Sequence, residues 1–284
     1  MRIFVTGAAG QLGSQVLAQL RSRGYEAIGS DIADLDITDF AAVEAAISAQ
    51  DPDAVIHCAA WTAVDAAEDA PEKVRAVNAL GTRHIAQVCK KLDCKLIYIS
   101  TDYVFSGRGE TPWDPDRRDF QPLNVYGRTK LEGEEAVREL VKKHFIVRIA
   151  WVFGPNGKNF VDTMLALSEK YQTLRVVCDQ VGTPTYTVDL ARLLADMVET
   201  DRYGCYHATN EGGYISWYDF AREIFRQAGR DTQVQAVTTA EYGVSKASRP
   251  FNSRLDKSKL VAQGFTPLPT WQDALTRYLK QIGE

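Results

Sequence analysis

Along the first 150 residues the hydrophobic positions follow two alternating patterns. Short apolar runs closed by small or polar residues fit buried strands, and stretches with apolar residues every three or four positions fit helices packed along one face. Ile3-Phe4-Val5 is the first run, followed by a helical stripe of Leu12, Val16, Leu17 and Leu20. Glu26–Ser30 is a second strand, and Phe40, Val43 and Ile47 form a second stripe that Thr38 can cap. Asp53–His57 leads a third strand out into Cys58-Ala59-Ala60, and a long helix follows from about Pro71 through Val74, Val77, Leu80, Ile85 and Val88. Lys95–Ser100 and Phe145–Ile149 are further strands, with a helix opening near Tyr126 between them. Strands alternating with helices imply a parallel sheet covered on both faces, so the expected fold is α/β with a Rossmann-type doubly wound sheet.

After about residue 150 the alternation loosens. Leu174–Cys178 reads as a strand, and Leu190, Leu193, Leu194 and Met197 as a helical core stripe. Ser216-Trp217-Tyr218-Asp219 has capping-box spacing, with Asp where Glu or Gln is usual, ahead of Phe220, Ile224 and Phe225. Thr270 opens a last helix carrying Leu275, Tyr278, Leu279 and Ile282. The expected organisation is a dinucleotide-binding domain over 1–150, joined by parts of 174–210, and a smaller, mainly substrate-binding domain over 151–284.

Composition narrows the function classes. The chain has 284 residues, 45% hydrophobic and 25% charged, an ordinary globular balance with ample length for a core. A net charge of −4 with no basic block argues against a nucleic-acid partner. No apolar segment approaches the roughly 20 residues that span a bilayer, and the apolar start is too short for a signal peptide. A cytoplasmic protein without membrane partners is therefore expected. The five cysteines lack metal-ligand spacing and read as reduced thiols.

Candidate chemistry gathers at strand ends. Gly7-Ala8-Ala9-Gly10-Gln11-Leu12-Gly13 lies between a strand and a helix, where glycines let a backbone approach a pyrophosphate and the helix start offers free N–H groups. Asp31 ends the second strand near the position of an acid that binds adenosine ribose hydroxyls; it suits NAD better than a 2′-phosphate, and it also fits a solvated loop acid. Asp36 and Ile37 follow where an adenine can lie, and small Ala59 and Ala60 leave room for a cofactor. His57 reads as a packed strand histidine, and Asn78 as a bond to a neighbouring loop. Ser100-Thr101-Asp102 ends a core strand, where a hydroxyl can meet a substrate carbonyl or simply satisfy local backbone.

Tyr126 and Lys130 are four apart at a helix start and share a face. A nearby ammonium is expected to lower the phenol pKa and make it a better proton donor. Alone, the pair is also common on solvated helices. The aromatics of Trp151–Phe160 can stack on a base or sugar, or pack beneath their loop. Arg249 and Arg254 can form a fork on a diphosphate, or stand as surface arginines.

The order of these features resembles the extended short-chain dehydrogenase/reductases and, more narrowly, the dTDP-4-dehydrorhamnose reductase family. The likeness covers essentially the whole chain and rests on Thr62-Ala63-Val64-Asp65, Ser100–Phe105, Pro122–Gly127, Asp179–Thr185 and Arg249–Leu255. It implies Thr101, Tyr126 and Lys130 as catalytic residues and NADPH or NADH as cofactor. It implies a sugar pocket lined by Thr62, Val64, Asp102, Asn124 and Trp151, a dTDP-sugar substrate and a possible homodimer. Some relatives dimerise through magnesium held by glutamates; Gln15 stands at one such position here, so no metal is expected. Two other readings carry different outcomes. A related epimerase or dehydratase is one, although the dehydratases' Asp-Glu after the threonine is here Asp102-Tyr103. A non-catalytic relative like the regulatory subunit of methionine adenosyltransferase is the other.

Overall fold

The computed structural model describes residues 1–243 and 245–284. Its frame is a parallel sheet of β1 (Arg2–Thr6), β2 (Glu26–Ser30), β3 (Ala54–His57), β4 (Lys95–Thr101), β5 (His144–Ile149) and the strand Gly204–His207. Their spatial order is Gly204–His207, β5, β4, β3, β1, β2. The chain leaves β1 for β2 on one side and then returns to place β3 on the other. That reversal makes the crevice between the carboxyl ends of β1 and β3 the switch point, where open α/β sheets bind ligands.

Alternating side chains feed two cores, as a two-residue strand period requires. Ile3, Val5, Ile56, Ile97 and Val147 point to one face with Val16 and Leu20. Leu190 and Leu194 of the helix Thr187–Val198 join that cluster, although they lie far along the chain. Phe4, Val55, Leu96, Tyr98 and Ile146 point to the other face, against Val43, Ile47, Ile85 and Val137. A separate cluster gathers Phe153, Met164, Tyr186, Phe220, Ile224, Trp271, Leu275 and Tyr278 from the later chain.

Local chemistry sets several element ends. Asp39, rather than Thr38, caps the helix Phe40–Gln50 by accepting from Ala41 N and Ala42 N. The Thr38 hydroxyl instead donates to Asp36 at 2.8 Å. The helical run from Pro71 to Leu92 contains a π-helical turn at Ala76–Gly81; such turns recur at functional sites. Asn78 in that turn accepts from Trp61 N and donates to Trp61 O and to Thr129 Oγ1. It thereby ties the loop after β3 to the helix Val125–Leu140 that carries Tyr126 and Lys130.

That helix is locked onto the sheet by a buried ion pair. Glu134 and Arg148 are both fully buried. The Glu134 carboxylate accepts from Arg148 Nε and Nη2, each at 2.8 Å, from Ser100 Oγ at 2.6 Å, and from Arg138. These bonds hold the carboxyl down at about 2 against the opposing effect of burial.

Candidate active site

The glycine loop sits at the switch point. Gly7 adopts φ +67°, and a Cβ there would meet Ala59 N at 2.7 Å, so the turn after β1 presses against the exit of β3. Gly10 caps the helix Gln11–Ser22 without a side-chain bond, which leaves first-turn N–H groups free for an anion. Gln11 donates to Lys158 O at 2.7 Å, while its Oε1 is buried without a partner. A close-packed backbone cradle and an uncapped helix start fit a dinucleotide's pyrophosphate.

The other predicted cofactor residues fall out differently. Asp31 Oδ2 accepts from Ala9 N and Oδ1 from Ile32 N, each at 2.8 Å, so this carboxylate braces the loop itself. Asp36 is occupied by Thr38, whose N–H and hydroxyl hold its carboxyl below the usual range. Ile37 buries its side chain in the core among Val43 and Ile47. Ala59 and Ala60 are half-buried beside the loop. His57 is wholly buried with both ring nitrogens engaged, Nδ1 with Thr6 Oγ1 at 2.7 Å and Nε2 with Thr82 Oγ1 at 3.0 Å. Burial holds it neutral, with its pKa near 3.

Thr101 and Tyr126 meet where β4 faces the start of the next helix. Gly127 permits this approach, since a Cβ there would fall 2.3 Å from Tyr103 O. Asn124 caps the helix by accepting from Gly127 N at 2.8 Å. The Thr101 hydroxyl donates to Asp102 Oδ1 at 3.0 Å and accepts from Tyr103 N at 3.2 Å. Tyr103 sets its ring edge-on to Tyr126, with centroids 5.5 Å apart.

The electrostatics reverse one expectation. The Tyr126 phenol is shifted upward, because burial outweighs the Thr101 hydroxyl that favours the phenolate, while Asp102 and Tyr103 push the same way as burial. Lys130 does not offset this. Its ammonium donates to Ile99 O at 2.7 Å and lies 4.1 Å from the Tyr98 ring centre. Burial lowers its own pKa to about 7, with the Glu134 carboxylate one turn on pulling it back up. Desolvation disfavours charge on both groups, so the phenol is held in its proton-carrying form. Asp102 is 2% exposed, and burial pushes its carboxyl up to about 6.

Beside this group lies a cavity of about 220 Å³ lined by Tyr103, Trp151, Arg175, Gln180, Trp217, Arg249 and Ser253 among others. Trp151 holds a left-handed backbone at φ +51°, uncommon for a bulky residue, and stacks on Trp217 with ring centres 3.7 Å apart. Phe160 packs on the same Trp217 ring at 4.6 Å. Arg249 pairs with Asp65 at 2.6 Å and donates to Tyr103 Oη at 3.2 Å.

Of the predicted sugar-side residues, Trp151 and Arg249 line the cavity; Thr62, Val64, Asp102, Asn124 and Arg254 do not. Thr62 is exposed, and Val64 opens the short helix Val64–Ala67. The expected Arg249–Arg254 fork does not form. Arg254 donates to Asn252 Oδ1, and its carbonyl accepts from Trp113 N at 2.9 Å, which pins it outside the lining. Arg175, on the strand Thr173–Val177, is the second arginine of the cavity. Nothing in its local pattern marks it, and neither does anything near Trp217, which the sequence offers only as part of a capping box. Among the described residues no group of three His, Cys, Asp or Glu side chains can hold a metal ion, and no helix is long and apolar enough to cross a membrane.

Comparisons with known proteins agree over the full length. The family model described as RmlD substrate binding domain matches residues 1–283. A dTDP-4-dehydrorhamnose reductase of Streptomyces griseus is 44% identical, over 97% of this chain and 92% of that protein. The crystal structure of a dTDP-4-dehydrorhamnose reductase from Clostridium acetobutylicum superposes with a TM-score of 0.96 at 41% identity, covering 100% of both chains. That of Bacillus anthracis, in complex with NADP, gives 0.94 at 39% identity over 99% of each.

Proposed function

Because the chain belongs to the RmlD substrate binding domain family, we propose that it is an NAD(P)H-dependent oxidoreductase that reduces the C4 keto group of dTDP-4-dehydro-L-rhamnose to give dTDP-L-rhamnose. The observation that carries this reading is the meeting of buried Thr101 with half-buried Tyr126 at the end of β4, with buried Lys130 one turn along, beside a cavity walled by aromatics and two arginines.

A bound NADPH or NADH supplies the hydride. Gly7, Gly10, Gln11, Leu12 and Gly13 present backbone to its pyrophosphate, Asp31 stiffens that loop, and Ala59 and Ala60 form the wall beside it. Lys130 holds the nicotinamide ribose. Tyr126 donates its Oη proton to the substrate oxygen as charge develops there, and Thr101 holds the same oxygen once its hydroxyl proton turns from Asp102 Oδ1 to it. A positioned acid of this kind contributes roughly 10²–10⁴-fold; alignment and electrostatic stabilisation supply the remainder. Arg249 and Arg175 grip the diphosphate, and Trp151 and Trp217 present an aromatic wall to the sugar or base. The expected setting is the cytoplasm, and a homodimer is proposed on family resemblance.

The dehydratase reading is disfavoured by Tyr103, which stands where a second acid would be needed and whose Oη is engaged by Arg249. The test mixes protein, NADPH or NADH and dTDP-4-dehydrorhamnose, and follows absorbance of the reduced nicotinamide. Stoichiometric oxidation with formation of dTDP-L-rhamnose is expected. Cofactor binding without turnover would favour a non-catalytic role instead.

A further inference from the structure

We propose that Asn124 is a positioning residue that couples the nucleotide-side wall of the cleft to the catalytic phenol. Its side chain is 2% exposed and has two ends at work. Oδ1 accepts from Gly127 N at 2.8 Å and so caps the helix bearing Tyr126. Nδ2 donates to Ser248 O at 2.9 Å, across 124 residues of sequence.

Ser248 belongs to a strap over 245–253 that closes one side of the cavity, through Ser245, Arg249, Pro250 and Ser253. The strap is fastened at several points. Ala247 N donates to Asp65 Oδ1 at 3.0 Å and Asn252 N to Gly107 O at 2.8 Å. A Cβ on Gly107 would meet Pro250 Cα at 2.6 Å, so the strap lies hard against the chain that follows β4. On the other side of Tyr126, Val125 N donates to Glu68 Oε1 at 2.8 Å, and Glu68 closes the short helix Val64–Ala67 that carries Asp65. The two N–H groups flanking Tyr126 are thus held by side chains whose other attachments lead to the cleft walls. Asn124 is the member whose second bond reaches the strap itself. A shift of the strap as a nucleotide engages Arg249 moves the carbonyl on which Asn124 rests. Displacements near 1 Å at a reacting group can cost roughly 10²-fold in rate.

This inference rests on the nucleotide-sugar reading, and the experiment separates the two. Serine equals asparagine as a helix cap but lacks the amide that reaches Ser248 O, so Asn124→Ser removes one function and keeps the other. Expected are a small drop in unfolding midpoint from the lost internal hydrogen bond, unchanged NADPH affinity, dTDP binding weakened about three- to ten-fold, and a lower kcat. Asn124→Asp also caps, and it sets a carboxylate against the Ser248 carbonyl, so the same losses should be larger. Wild-type dTDP affinity and kcat in both variants would overturn the proposal. So would a raised KM for the sugar nucleotide with unchanged dTDP binding, which would put Asn124 on the sugar. A joint loss of thermal stability and NADPH affinity would reduce Asn124 to a cap. Arg249→Gln is the separate control: unchanged dTDP affinity there removes the diphosphate assignment, and lowered kcat in Asn124→Ser still decides the coupling.

Discussion

On the sheet side of the cleft, candidate site residues follow strand ends in chain order: Gly7 after β1, Asp31 after β2, Ala59 after β3, Thr101 closing β4. On the cavity side, Trp151, Arg175, Trp217 and Arg249 come from four separated segments and meet only in the tertiary structure. The first wall is held by sheet ladders and the two cores beneath them, so its geometry is stiff. The second is held by a two-stranded ladder at Arg175, scattered backbone bonds along the strap, a stacked tryptophan pair and an arginine–aspartate bridge. Under the proposed function, the chemistry that needs close alignment falls on the sheet-borne wall and recognition on the wall assembled from distant segments. That division follows the general placement of sites on rigid elements with adaptable loops around them.

Five substitutions in three groups probe this contrast, in falling order of effect. Tyr126→Phe should lower kcat by roughly 10²–10⁴-fold while leaving nicotinamide binding, read by fluorescence titration, intact. Near-normal turnover would take the phenol out of the mechanism and blur the distinction between the walls.

Glu134→Gln attacks the anchor of the stiff wall. It strips Arg148 of its buried partner, and losing one member of such a pair costs about 3–5 kcal/mol, measurable by denaturant unfolding. The wild-type carboxylate titrates near 2, below the ordinary glutamate range, because Arg148 and its hydrogen bonds stabilise the charged form. Its folded pKa lies below its unfolded one, so its contribution is complete above the ordinary range and is lost as pH falls toward about 2. The variant's stability should therefore depend less on pH over that window. An identical acid limb in both proteins would contradict this.

The adjustable wall gives the smallest effects and the sharpest internal control. Arg249→Gln and Arg175→Gln should each weaken dTDP binding about 10- to 100-fold, the worth of a charge-assisted hydrogen bond. Arg254→Gln should change it less than about two-fold, as expected for a residue away from the ligand. Equal losses at Arg249 and Arg254, measured by calorimetry, would restore the fork and displace Arg175.

Much of the stiff wall was legible because it is written locally. A glycine turn between a strand and a helix, small residues leaving β3 and a Tyr–Lys pair one turn apart each announce themselves within a few residues. The capping box at Ser216 and Asp219 was equally plain and is formed. The adjustable wall was half legible. Trp151 and Arg249 stood out by motif, whereas Arg175 sits in an exposed stretch of a strand that gives no local hint of a cavity. Arg254 misled because its partner, Asn252, is two residues away while Trp113, which fixes its carbonyl, is distant in the chain.

From the order of residues alone came the parallel sheet, the glycine loop at its switch point and the placement of Tyr126 and Lys130 one turn apart on one helix, since periodicity and turn chemistry are properties of short segments. The folded state alone decided the sign of the Tyr126 shift, the engagement of Lys130 with Ile99 and Tyr98, the bracing role of Asp31 and the choice of Arg175 over Arg254. Desolvation and long-range contact depend on which distant groups exclude water from a side chain, and no local pattern carries that information.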